Sequence, residues 1–261
     1  MKTIIFLLCL LCGEAAYAQQ NRWTVDVSGG LALPVGKFAG KNIYDSTSAF
    51  AKAGPVINVS GSYRVAGHFG VTALLGVQRN ATDNNAESTK LDAVDPGYVF
   101  SVNDQAWKLG RLMGGVYGHW FLDHCQRLGV RVQVLVGVMK VDFPTQTVTE
   151  WVKGDPNAGS DESIVDWYKT NPQFAYQAGV GIDYALNRRL FLKIDADYEG
   201  ARQRVLYPAV VLASRATPGA PPEGFSEGSV PPPQTVPINN TVPYTQPLTT
   251  INYCLGIGVR F

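Results

Sequence analysis

The most regular pattern in the chain lies near its end, where Ile251, Tyr253, Leu255, Ile257, Val259 and Phe261 alternate with Asn252, Cys254, Gly256, Gly258 and Arg260. Side chains of an extended backbone point to opposite faces with period two, so this stretch predicts a strand with one apolar face and one small or polar face. Leu248–Phe261 is the last of eight such stretches. The others are Arg22–Leu33, Pro55–Val65, Phe69–Arg79, Gln105–Leu122, Leu128–Val141, Phe174–Leu186 and Leu190–Glu199. The cleanest apolar face is Leu128, Val130, Val132, Val134, Val136 and Val138, with Arg131 and Gln133 opposite. A soluble sandwich gives its second face ordinary surface residues. Repeated strands of about ten residues whose second face is glycine and charge fit a membrane barrel, apolar toward lipid and polar toward the lumen.

The connections alternate as strictly as the residues. Those at 66–68, 123–127 and 187–189 are short, and those at 37–52, 81–104, 142–172 and 202–247 are long. Short periplasmic turns, long extracellular loops and periplasmic termini are the pattern of an outer-membrane barrel. The expectation is therefore an all-β chain, an eight-stranded antiparallel transmembrane β-barrel. The four long loops are expected to be structureless. The Pro-rich extracellular loop 202–247, with Pro218, Pro221, Pro222, Pro231, Pro232, Pro233, Pro237 and Pro243, is expected to be extended and mobile, with no fold of its own.

Composition narrows the compartment. Residues 1–18 contain Lys2, an apolar run from Ile4 to Leu11 and the small-residue site Ala16-Tyr17-Ala18, which reads as a secretory signal peptide and leaves 19–261 as the barrel domain. No later apolar run reaches the roughly 18 residues of a helical span. Twenty-two Lys and Arg balance 21 Asp and Glu, which argues against a nucleic-acid surface. Only Cys125 and Cys254 follow the signal, too few for a disulfide framework.

On these features the chain resembles the small OmpA/OmpX-type outer-membrane barrels, the porin-like superfamily of the outer membrane protein beta-barrel domain. The resemblance rests on the signal peptide, the eight alternating strands, Pro34-Val35-Gly36-Lys37-Phe38 after the first strand and the terminal Gly256-Ile257-Gly258-Val259-Arg260-Phe261. It implies residence in the outer membrane of a Gram-negative bacterium. It also implies that the barrel-assembly machinery reads the last strand, with Tyr253, Val259 and Phe261 as the assembly signal.

Strand parity then places candidate chemistry on two faces. Asp26, Arg64, Arg111, His119, Arg131, Asp183, Lys193, Asp195, Asp197, Glu199 and Arg260 are expected inside, a charge-balanced network that plugs the lumen. Within it, an Asp26–Arg260 contact is expected where the first and last strands meet. A cation site at Asp195, Asp197 and Glu199 is the sharper alternative. Lys37, Arg79, Lys108 and Lys140 are expected to point to lipid at the outer strand ends, within reach of lipopolysaccharide phosphates. Trp23, Tyr63, Phe69, Trp120, Tyr184 and Phe261 are expected in one aromatic girdle and Trp107, Tyr176 and Tyr198 in the other.

His68 and His124 fall in short turns, and His119 falls near a strand end, away from the outer half where barrel enzymes meet substrate. No catalytic residue, metal or cofactor is therefore expected. The leading functional reading is a structural or surface-interaction barrel with an unknown extracellular ligand for its loops. A small porin-like channel is the alternative, and a barrel enzyme acting on lipid or peptide is the second alternative.

Overall fold

The structure is a computed structural model and describes residues 22–154, 160–167, 170–205, 208–215, 234–236 and 244–261. The signal-peptide segment 1–18 and the prolines from Pro218 to Pro233, with Pro237 and Pro243, lie outside the described residues. In chain order the strands are β1 (Trp23–Pro34), β2 (Gly54–Ala66), β3 (Phe69–Asn80), β4 (Tyr98–Asp104), β5 (Trp107–Phe121), β6 (Leu128–Asp142), β7 (Gln146–Val152), β8 (Ser160–Trp167), β9 (Gln173–Ala185), β10 (Leu190–Val205), β11 (Pro208–Arg215), β12 (Gln234–Val236) and β13 (Tyr244–Arg260). A helix, α1 (Asn84–Val94), precedes β4.

Eight of these strands close an antiparallel barrel in the order β1-β13-β10-β9-β6-β5-β3-β2, with the last strand paired to the first from Thr24↔Arg260 to Pro34↔Thr250. Each predicted strand is present. Alternation sets the faces: along β3, Val71, Leu75 and Val77 are exposed while Thr72, Leu74 and Gln78 are buried. Leu255 in β13 is 62 % exposed, and Ile194 on β10, Val27 on β1 and Ile57 on β2 are exposed as well. An apolar girdle this continuous requires lipid as its solvent.

The long connections are not structureless, contrary to the expectation. β10 and β13 stay paired to Val205↔Tyr244, six residues beyond the expected end at Glu199 and four before the expected start at Leu248. Strands from three connections form a second sheet, ordered β12-β11-β8-β7-β4. Its β4–β7 ladder continues the β5–β6 ladder past a joint. Lys108↔Asp142 is the last barrel pair, Gln105 N–H donates to Thr145 O at 3.1 Å, and Asp104↔Gln146 opens the upper ladder. Pro144, which has no N–H to give, sits at that joint. The β-branched and aromatic content of Tyr98–Val102 and Thr147–Val152 explains why these segments pair. The expectation for 202–247 is corrected likewise, because Pro208–Arg215 pairs with β8 and Gln234–Val236 pairs with β11.

Candidate functional site

Inside the barrel the side chains stack in layers from the end with short turns to the end with long loops. At the turn end, His119 Nε2 lies 3.3 Å from Asp183 Oδ2. Arg131 donates from Nη2 to Ser62 Oγ at 2.8 Å and lies 4.5 Å over the ring of Tyr117. Next, Lys193 Nζ reaches Asp26 Oδ1 at 2.9 Å and Asp195 Oδ2 at 3.0 Å, and Ser60 Oγ donates to the other Asp26 oxygen at 2.5 Å. Gln133 Nε2 donates to Asp197 Oδ1 at 3.0 Å. Deeper still, Arg111 is paired with Glu199 and donates to Gln78 Oε1 at 3.1 Å and Asn58 Oδ1 at 2.7 Å, while Asn252 Nδ2 donates to Glu199 Oε2 at 2.8 Å.

The backbone makes room for these groups. Gly179 and Gly181 of β9 stand opposite Asp197 and Asp195 of β10, and a Cβ at either glycine would overlap the carboxylate. Five buried carboxylates (Asp26, Asp183, Asp195, Asp197, Glu199) thus share the interior with buried Arg111, Arg131, Lys193 and His119. Arg64 and Arg260 are half-buried at the turn end. The expected Asp26–Arg260 contact is not made. Arg260 stands opposite Thr24 in the register, two residues nearer the barrel end, and its guanidinium lies 4.8 Å over the Phe191 ring, so Lys193 takes Asp26 instead. Among the described residues no three His, Cys, Asp or Glu side chains are arranged to hold a metal ion.

Toward the loop end the filling turns apolar: Leu74, Leu109, Met113, Leu135, Met139, Val141, Ala175, Ala201 and Leu248 form one buried cluster. The first loop folds down onto it. Phe38, fully buried, meets Trp107 edge to face at 5.4 Å, and Trp107 Nε1 donates to Ala49 O at 3.3 Å. Gln246 Nε2 donates to Thr47 O at 2.8 Å, and Asn80 Nδ2 donates to Lys52 O at 2.7 Å. Asp83 caps α1 by accepting from Ala86 N–H and receives Lys41 at 2.5 Å and Lys52 at 2.9 Å, tying helix to loop. The Lys41 hydrogen bond, then the one from Lys52, holds the Asp83 carboxyl down at about 2.

Trp107 therefore leaves the expected outer girdle. It shares a face with Leu109, Arg111 and Met113, which point inward, and the parity was there to be read in the sequence. Phe38 was legible only as part of the strand-ending motif, since no periodicity marks a loop residue that folds back. Lys37 also leaves its expected group, because it lies beyond β1 and pairs with Asp45 within the first loop. Arg79, Lys108 and Lys140 do come together. Arg79 pairs directly with Lys108 in the register, and the three line an outer groove of about 430 Å³ with Ile57, Val77 and Asp142. Lys140 Nζ lies 3.6 Å from Asp142. On β13, Tyr253 faces outward and Val259 is half-buried, and Phe261, just past the strand, is exposed.

A closed eight-stranded barrel with an apolar outer surface and a polar interior defines an integral β-barrel membrane protein. The family model described as "Outer membrane protein beta-barrel domain" matches residues 4–203, most of the chain, and the chain belongs to that family. It is accordingly a protein of the bacterial outer membrane. No curated protein matches it. Solved structures to which it is similar include Neisserial surface protein A (10 % identity, 92 % of this chain and 97 % of that one, TM-score 0.42). A major outer membrane protein from Thermus thermophilus is similar at 14 % identity, 92 % and 99 % coverage and TM-score 0.44. OprG from Pseudomonas aeruginosa is similar at 10 % identity, 92 % and 96 % coverage and TM-score 0.43.

Proposed function

We propose that the protein is a sealed surface barrel, a membrane anchor that presents its loop-end structure to the outside, and neither a pore nor an enzyme. The observation that carries this reading is the filling of the lumen by a charged layer under an apolar layer that the first loop caps through Phe38 and Trp107. Buried charges are tolerated when they are paired and hydrogen-bonded, and the apolar cluster at the loop end adds a low-dielectric stretch that an ion would have to cross. The three histidines support no catalytic role: His119 lies beside Asp183 at the turn end, the His68 ring nitrogen lies 3.0 Å from His119 O, and His124 is in the neighbouring turn.

In this reading 1–18 is a cleaved export signal, the termini and short turns lie in the periplasm, and Tyr253, Val259 and Phe261 present the last strand to the assembly machinery. The groove of Arg79, Lys108 and Lys140, with Ile57 and Val77 beside it, takes a lipopolysaccharide phosphate with its acyl chain against the apolar pair. The test is single-channel recording of the refolded protein in planar bilayers. No stepwise conductance is expected from wild type. Regular steps from wild type would replace this reading with the channel.

A further inference from the structure

A cavity of about 360 Å³ lies above the first-loop cap, outside the charged interior. Phe50 and Ala49 of the cap, Leu91 of α1, Trp107 and Phe143 supply its apolar wall, with the Trp107 and Phe143 ring centres 4.8 Å apart. Its described lining contains no lysine, arginine or histidine. It contains three carboxyl groups, of which Asp45 is engaged by Lys37. The other two, Glu87 of α1 and Asp104 at the end of β4, are close enough to influence each other, and Gln146 Nε2 donates to Glu87 Oε1 at 2.6 Å.

Two neighbouring carboxyl groups disfavour being charged together. Burial, and then the charge of Glu87, push Asp104 up to about 8, and burial raises Glu87 as well. Among the described residues the lining offers this pair no cation. Nearby lysines are committed elsewhere: Lys41 and Lys52 to Asp83, and Lys37 to Asp45. Asp92, further along α1, accepts from Phe100 N–H. Asp104 Oδ1 has no hydrogen-bond partner among the described residues.

We propose that this cavity binds a small organic ammonium ion, its alkyl part against Trp107, Phe143 and Phe50 and its nitrogen at the Glu87–Asp104 pair. Aromatic faces attract cations, and the ammonium hydrogens match the two carboxyl groups. The cavity has room for a small molecule only, and its carboxyl groups disfavour anions. An ammonium ion favours the ionised carboxyl groups, so protons compete with it. Apparent affinity therefore rises as pH increases from 6 toward about 8, the value to which Asp104 is pushed.

The experiment titrates n-butylammonium chloride into the full-length protein folded in detergent micelles, following the Trp107 indole N–H resonance, with neutral n-butanol and calcium chloride as comparison probes. Expected is a saturable shift with butylammonium, binding at least about tenfold weaker for butanol, and a loss of about fivefold or more in Glu87→Gln or Asp104→Asn, the range of one charged hydrogen bond. Both substitutions lie outside the barrel, and the gel shift between unheated and boiled samples verifies that each variant is folded. Equal binding of butanol, preferential binding of calcium, affinity unchanged in both variants or unchanged between pH 6 and 8, or no binding would each overturn the assignment.

Discussion

Glu199 is among the most enclosed charges in the molecule, about 1 % exposed, and Arg111 is the cation that answers it. Removing one member of a buried pair leaves the other uncompensated and typically costs about 3 to 5 kcal/mol, whereas replacing both by apolar groups is often neutral. Arg111→Met is thus expected to lower the urea unfolding midpoint in detergent by that order, and adding Glu199→Leu is expected to return most of the loss. Lys90→Ala, on the exposed side of α1, is the control, with a change within about 0.5 kcal/mol. Alternation alone assigned the interior face of Asp26, Arg111, Arg131, Lys193 and Glu199. It did not assign partners, because these lie across the lumen and depend on the stagger between strands. Asp26 and Arg260 show the difference: both point inward on paired strands, yet the register sets Arg260 opposite Thr24 and delivers Lys193 to Asp26.

At the scale of elements, the barrel strands were legible because a lipid face forces a long, strict alternation. The upper sheet and α1 carry no such constraint. β4 and β7 are seven residues each, and α1 has no fully buried side chain, so neither shows a stripe that periodicity could find. The upper sheet continues the barrel ladder, and α1 is tied to the first loop by local polar chemistry, Asp83 with Lys41, Lys52 and the Ala86 N–H. The folded Asp83 value, about 2, lies below its ordinary 3.8. The order that Asp83 lends is therefore complete above about pH 4 and is lost as pH falls toward 2. Amide resonances of Ala49 and Ala51 are expected to stay fixed from pH 7 to about 4.5 and to move between about 4 and 2. In Asp83→Asn the acid pattern is expected already at pH 7. Resonances that ignore both acid and the substitution would show that the cap is held by packing alone.

For the whole molecule, closure of β13 on β1 makes a cylinder with two unlike ends. One has three short turns, and the other has a folded cap, a helix and a second sheet. A surface role requires the second end to face outward. The chain carries its own reporter at the opposite end, because Cys125 is free and exposed in the turn after β5 while Cys254 is buried. The most direct measurement is labelling of intact cells with a membrane-impermeant maleimide, comparing wild type with Lys153→Cys, a change in the exposed turn that follows β7. The expected result is no label on wild type until the outer membrane is permeabilised and full label on Lys153→Cys without permeabilisation. Label on Cys125 in intact cells, with Lys153→Cys gaining none, would place the loop end in the periplasm and contradict the surface role.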